Sequence, residues 1–315
     1  MIRPTPVVQW RIGRLTAICV LACTAASGCQ SSGGSRPSSA QDTGSASAQS
    51  GASALSPLPL LPVLQREAAF ESAFGRLLAS STRACMKSLG FDYRIDLPEA
   101  VPDVRTYEDV LASRYGAPRP GQDGVLGYPT TEPTEPTPDI PPASAAYVRA
   151  LAGTRIESVN LAGVDGETWA ELRFDDGCGG SSLAGVFGSV DDLIEFSRLR
   201  AVVDSASSNS LDRISADLDE LDEVQLWRTC MRSEGFEAET PFDAQYLAST
   251  ALPKDKEGVI AAVDVACRER SGLHGALASA EGAFQDEAMA AHPDVVDDLV
   301  VIYDDVIGRA QASTD

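Results

Sequence analysis

The stretch CMKSLGF, Cys85 to Phe91, returns 145 residues later as CMRSEGF, Cys230 to Phe236. Glycine readily takes the left-handed conformation that ends a helix, and a cysteine one turn earlier ties that end to another segment. A duplicated phrase of this kind therefore fixes two helix ends and constrains how the rest of the chain returns to them. Ahead of the first copy, Phe70, Phe74, Leu77, Leu78, Cys85 and Leu89 recur at spacings of three and four, which predicts a long helix from Val63 to Leu89. Ahead of the second, Leu211, Ile214, Leu218, Leu221, Val224, Trp227 and Met231 share one stripe and predict a single helix ending at Gly235. Within the phrase, Cys230 falls four residues after Leu226 on the expected buried edge, and Met231 is a deformable filler beside it. Phe236 folds back on the last turn, so each copy reads as a stapled helix terminus.

Shorter helices follow from local signals. Thr106 with Asp109 is a capping pair, Ser144 to Gly153 is helical, and Ser189 with Asp192 opens a further helix. Thr240 and Pro241 start a helix through Leu247, another closes on Gly272, and Val295, Val296, Leu299, Ile302, Val306 and Ile307 form the apolar face of a C-terminal one. In the helix closing on Gly272, Ile260, Val263 and Cys267 face inward while Asp264 points aside and pairs with Arg268 at i+4. Strands are expected only near 156–174, where ESVNLAG and TWAELRF flank the turn VDGE. Residues 129–142 are a Pro/Thr/Glu loop with no means of forming a helix or a central strand. The expected fold is mainly α, disulfide-braced and built from two related helical halves, 63–188 and 189–315, with a small β-hairpin in the first.

The first 28 residues read as a signal peptide: a basic start, the apolar run LTAICVLACTAA, then SGC. That run is shorter than the roughly 20 apolar residues a membrane-spanning helix needs. Its end resembles the lipobox of bacterial lipoproteins. Ala26, Ser27 and Gly28 precede Cys29, and the resemblance implies that Cys29 is acylated and becomes the new N-terminus. Ala26 stands where leucine is usual, and the rival Cys23 has the bulky Leu21 where a small residue belongs. Two acyl chains anchor a protein stably where one binds marginally. Residues 29–62, rich in Ser, Gly and Pro, are a flexible tether.

Seven cysteines are present, and Cys19, Cys23 and Cys29 belong to the leader. The remaining Cys85, Cys178, Cys230 and Cys267 form an even set that favours disulfides in an exported chain, with three connectivities open. Two lie in the phrase and each of the others follows one copy, so Cys85 with Cys178 and Cys230 with Cys267 is the economical pairing. No two of the four sit at CxxC spacing and the chain has two histidines, so a metal-ligand set is not expected.

CMRSEGF followed by VDVACRERSGL resembles a family of exported lipoproteins from high-GC Gram-positive bacteria, over Leu226 to Ile307 and more loosely over Phe70 to Gly188, where SRYG and GCGGSSLAGVFG carry it. Twenty-two arginines against three lysines agree with such a source. The resemblance implies location and disulfides; the family carries no assigned activity, cofactor or catalytic residue.

Charge excludes one class of partner. The net charge is −21, and without Arg3, Arg11 and Arg14 of the leader 22 basic residues face 46 acidic ones, a net of −24. Nucleic acid and direct adhesion to an anionic lipid surface are therefore not expected. Chemistry-bearing patterns are sparse. GCGGSS, Gly177 to Ser182, resembles part of a phosphate loop but lacks its third glycine, and Ser182 with Ala184 makes a broken GxSxG. Close backbone approach around Cys178 accounts for the same glycines. His274 and His292 have no partner signature and are assigned surface or capping roles. The pairs Asp175/Asp176, Asp191/Asp192, Asp297/Asp298 and Asp304/Asp305 are expected by chance among 46 acids, and DLDELDE, Asp217 to Glu223, lacks the glycine of a calcium loop.

The expectation is a membrane-tethered, extracytoplasmic, non-enzymatic binding module with no cofactor, whose partners are the membrane through Cys29 and a protein or ligand of the cell envelope. The alternatives are an envelope hydrolase using acidic residues, or solute capture for a transporter. The alternating strands and helices of a two-lobed binding protein are absent from the pattern.

Overall fold

Glycine and proline punctuation between apolar stripes dictates a helical chain, and the computed structural model, which describes residues 58–94, 100–121, 124–128, 144–248 and 256–313, is one. Its first part runs α1 (Leu61–Ser88), α2 (Tyr107–Arg114), β1 (Arg119–Pro120), β2 (Leu126–Gly127), α3 (Ala145–Ala152), β3 (Ile156–Ala162), β4 (Thr168–Asp175) and α4 (Cys178–Phe187). Then come α5 (Val190–Asp217), a 3-10 turn (Leu218–Glu220), α6 (Asp222–Ser233), α7 (Pro241–Tyr246), α8 (Glu257–Ser271), α9 (Leu273–Met289) and α10 (Val295–Ala312). The described residues all fall within one compact unit, Leu55–Asp315. Cys29 and most of the expected tether lie outside them, but Leu58 and Leu60 are fully buried, so the folded part begins ahead of Val63.

The two copies of the phrase end their helices identically. Gly90 has φ 82° and Gly235 φ 89°. The amide of Phe91 donates to the Met86 carbonyl at 2.9 Å and that of Gly90 to Lys87 at 3.0 Å; Phe236 to Met231 and Gly235 to Arg232 repeat this at 3.0 and 3.1 Å. This paired 6→1 and 5→2 closure satisfies carbonyls that a helix end otherwise leaves orphaned. Ser88 and Ser233 each donate Oγ to the carbonyl of the cysteine three residues back, at 2.7 Å. Met86 and Met231 are both fully buried.

Both disulfides form as paired by economy. Cys85 bonds Cys178 and Cys230 bonds Cys267, with Cα separations of 5.7 and 5.6 Å. The receiving sides differ: Cys178 is the first residue of α4, whereas Cys267 lies in the last turns of α8.

Several elements depart from the sequence pattern. The stripe from Leu211 to Met231 is not one helix, because the chain breaks at the buried Leu218 and turns at Leu221. Asp217, Asp219, Glu220, Asp222 and Glu223 crowd like charges at i,i+3 and i,i+4 spacing, which disfavours a continuous helix, while Asp222 and Glu223 suit the N-terminal end of a new one. Conversely, the helix opened by Ser189 runs unbroken through the serine-rich 205–210, where Ser205 donates back to the carbonyl of Val202. Leu226 and Leu89 are exposed, at 59% and 55%, so neither marks the buried edge. The expected 156–174 hairpin forms as β3–β4, with Ile156 opposite Asp175; β1–β2 is a second, two-residue pairing that the sequence did not signal. Helices α4 and α9 were also unforeseen.

The expected halves interlock rather than pack separately, since α1 lies along α10 and α4, and α5 touches both α9 and α10. One core stacks Phe70 on Tyr303 at 4.0 Å and Phe187 on Phe196 at 4.3 Å, joining α1, α4, α5 and α10. The other gathers Leu58, Leu111, Tyr115, Ile214, Trp227, Met231, Ile260, Cys267 and Leu277. Each disulfide borders one core. Replacing Cys85 and Cys178 together by serine is expected to cost about 4 to 5 kcal/mol of unfolding free energy and the Cys230/Cys267 pair about 4 kcal/mol, from loop-closure entropy alone. The loops span 93 and 37 residues. Urea denaturation checks this, and equal stability of wild type and either double variant would contradict it.

Candidate functional site

The glycine-rich loop was the nearest approach to an anion cradle. In the structure two of its amide donors are already taken from within the chain. Asp175, at the end of β4, accepts from the amides of Gly177 and Gly180 at 2.9 and 3.1 Å. Asp176 accepts from the amides of Thr154 and Arg155 at 2.6 and 2.9 Å, and the hydrogen bonds from Arg155 and Thr154 hold its exposed carboxyl down at about 2. The glycines are steric necessities. A Cβ on Gly180 would stand 2.0 Å from the Asp175 carbonyl oxygen, and one on Gly177 2.3 Å from the Gly153 nitrogen. Ser182 is buried in α4, within the glycine-rich first turns that follow Cys178.

The strongest concentration of polar chemistry lies elsewhere, in two buried carboxylates. Asp264 and Arg268 on α8 do pair, Nε to Oδ1 at 2.9 Å, but both sit in the core and not aside from it: their side chains are 0% and 1% exposed. Asp264 also accepts from the Trp227 indole at 2.8 Å and the Tyr128 hydroxyl at 3.0 Å. Arg268 reaches the carbonyls of Tyr115, Gly116 and Pro241 at 3.2 to 3.4 Å, which fastens the end of α2 and the start of α7 to α8. A cation at a helix C-terminus complements its unpaired carbonyls.

Glu281 on α9 is the second. It accepts from the Tyr115 hydroxyl at 2.6 Å, from Ser210 at 3.1 Å and from Gln285, and it forms an ion pair with Arg114. Gln285 in turn accepts from the Leu60 amide at 3.1 Å, satisfying the start of α1. Burial and the Glu281 carboxylate push the Tyr115 hydroxyl far above its ordinary value, and burial with Asp264 does the same to Tyr128. Carboxylates buried among protein donors in this way act as struts that hold the donating elements together. The sequence reading missed Tyr115, Glu281 and Gln285; the signal was there, because Glu281 and Gln285 continue the stripe of Leu273, Leu277 and Ala278 at helical spacing.

A cleft of about 680 Å3 opens beside this network, between α2, β1 and the α8–α9 corner, with Leu111, Ala112 and Val265 among its apolar lining and Glu108, Glu269 and His274 among its polar lining. His274 touches Arg268 at 3.4 Å, and burial, then Arg268, lowers it to about 4. It is thus neutral at pH 7. His292 bonds the Val164 carbonyl through Nε2 at 3.2 Å, a packing role between α9–α10 and the hairpin turn.

The acidic pairs separate into structural duties. Asp192 caps α5 with Ser189, Asp297 and Asp298 occupy the first turn of α10, Asp304 pairs with Arg66 and Asp305 with Arg309. DLDELDE is the break between α5 and α6. The four disulfide cysteines lie in two separate places, and Cys29 lies outside the described residues. No protein-family model, curated protein or solved structure matches the chain.

Two stability contrasts follow. Gly180→Ala is expected to cost more than about 3 kcal/mol through the backbone clash, whereas Gly75→Ala, in open space on α1, should stabilise by up to about 1 kcal/mol. Asp264→Ala should cost about 3 to 5 kcal/mol, because it strands a buried guanidinium, and the double replacement Asp264→Leu/Arg268→Met should recover much of that loss. Chemical denaturation reads both, and a double variant weaker than Asp264→Ala alone would show that Arg268 does not depend on Asp264.

Proposed function

We propose that the chain is an exported lipoprotein, held to the outer face of the cell membrane through Cys29, whose disulfide-braced helical unit binds a protein or ligand of the envelope. The observation that carries the location is the pair of disulfides Cys85–Cys178 and Cys230–Cys267, each clamping a helix terminus of the same construction. Such bonds persist in oxidising compartments and are rare in the cytosol. The lipobox at Ala26 to Cys29 and the Ser/Gly-rich stretch behind it support tethering. The resemblance of CMRSEGF and VDVACRERSGL to exported lipoproteins of high-GC Gram-positive bacteria supports the same reading.

A binding role, in preference to catalysis, is supported by the use made of the buried titratable groups: Asp264, Arg268, Glu281 and Arg114 hold helices to one another. The cleft beside α2, α8 and α9 is the concave surface that such a module offers.

Feeding cells a palmitate analogue tests the anchor. Wild type is expected to take the label and to partition with membranes, and Cys29→Ala to lose both. An unlabelled wild type, or label that survives Cys29→Ala, would refute the anchor.

A further inference from the structure

The cleft between α2, β1 and the α8–α9 corner carries charge of one sign to excess. Four charged side chains line it: Glu108 and Asp109 in the first turn of α2, Arg119 in β1, and Glu269 in the last turn of α8. Asp109 is engaged locally, accepting from the Thr106 hydroxyl and amide at 2.8 and 3.2 Å, and its other oxygen lies 3.9 Å from Arg119. Those two charges offset each other. Glu108 and Glu269 are exposed, and their carboxylates hold no ion pair or hydrogen bond among the described residues. The cleft is therefore left with two uncompensated negative charges.

The rest of the wall does not reverse this. Pro118 and Pro120 have no amide proton to donate, and Leu111 and Val265 are apolar. Arg268, which touches His274, is engaged by Asp264 and three backbone carbonyls. An anion finds few donors here, whereas a cation finds acceptors.

Glu269 also stands where its own helix disfavours it. A carboxylate in the last turn opposes the unpaired carbonyls of that end. Its neighbours Arg268 and Arg270 pair with Asp264 and Glu234, at 2.9 and 3.6 Å, and leave it uncompensated. A local rule broken with no internal partner is the mark of a functional position. On the α2 wall the Tyr107 hydroxyl is buried without an acceptor among the described residues, whereas those of Tyr115 and Tyr128 each meet a carboxylate. Such a hydroxyl costs free energy that a carbonyl brought alongside removes.

We propose that the cleft seats a basic peptide segment of an envelope protein, with lysine or arginine cations at Glu108 and Glu269, apolar stems over Leu111 and Val265, and a main-chain carbonyl toward Tyr107. The assignment rests on the binding role proposed for this unit. A peptide fits where a simple amine does not, because it brings the cation, an apolar stem and a neutral carbonyl together. The strongly negative chain also draws basic partners toward it.

The experiment pans a random peptide-display library on the mature, disulfide-intact chain. Peptides combining lysine or arginine with apolar residues should be enriched, and synthetic copies should shift the amide NMR signals of Val265, Glu269, His274 and Gly275. Glu108→Gln/Glu269→Gln should weaken their binding by roughly five- to thirty-fold. The control Glu157→Gln/Glu171→Gln, which removes the same charge from exposed positions on the hairpin, should weaken it by no more than about twofold. Glu269→Gln alone should be no less stable than wild type; a clear loss of stability would make the residue structural and overturn its role. Enriched peptides without basic residues, or equal weakening in both double variants, also overturn the proposal. Basic peptides that shift signals on another face overturn the cleft assignment and leave the binding role standing. No enrichment at all overturns the peptide as occupant, while anchoring is read separately by the palmitate label.

Discussion

Tyr115 joins the two interactions on which the rest of the structure depends. Its hydroxyl donates to Glu281 and its backbone carbonyl accepts from Arg268, so one residue at the end of α2 binds the carboxylate hub of α9 to that of α8. A buried charge is tolerated only when opposite charge and hydrogen bonds replace its lost water. Asp264 and Glu281 each meet that condition with donors drawn from several helices, and the requirement fixes where those helices stand. Arg114, Ser210, Tyr128 and Trp227 come from distant parts of the chain, and each has its position set by a carboxylate it must satisfy, while Leu60 is held through Gln285. Apolar packing around Trp227 and Leu277 supplies the bulk of the cohesion, but it is non-directional. The hubs add direction.

The disulfides complement this arrangement. Each starts from a helix end whose glycine and methionine are placed alike, yet one reaches the first turn of α4 and the other the last turns of α8. Asp175 lies three residues before Cys178 as Asp264 lies three before Cys267, and buried serines follow four residues after each, at Ser182 and Ser271. The surroundings separate the two aspartates. Asp175 is at a strand end and caps the amides of α4, whereas Asp264 is inside a helix whose own amides are occupied, so its carboxylate turns to side chains. Local backbone state decides what the same spacing does.

Much of this was legible along the chain. Capping residues announced α2, α3, α5 and α7 because a cap is a contact among neighbours, as Thr106 with Asp109 and Thr240 with Asp243 show. The missed elements are those whose stability comes from elsewhere. Helix α4 carries Gly179, Gly180 and Gly185, poor helix formers; Gly180 is there because the backbone of Asp175 leaves no room for a side chain, and Gly179 lies tight against the Leu151 carbonyl. Helix α9 has glutamate and glutamine in the middle of its buried stripe, so its hydrophobic period is interrupted where the fold needs polar atoms. The break at Leu218 and the exposed Leu226 show the converse, an apolar period that the tertiary arrangement did not follow.

The helical class, the two stapled helix ends, the hairpin and the economical disulfide pairing are legible in the order of residues, since each follows from contacts within a few residues or from counting cysteines. The tertiary structure alone decided that the two expected halves share their cores, that Asp264 and Arg268 lie buried, and that Tyr115, Glu281 and Gln285 form one network. It also brought Glu67, Arg105, Arg200 and Asp204 together. These facts depend on the charge and burial of residues tens to hundreds of positions apart, and a carboxylate's surroundings are set by which helices pack against it and not by its neighbours in the chain.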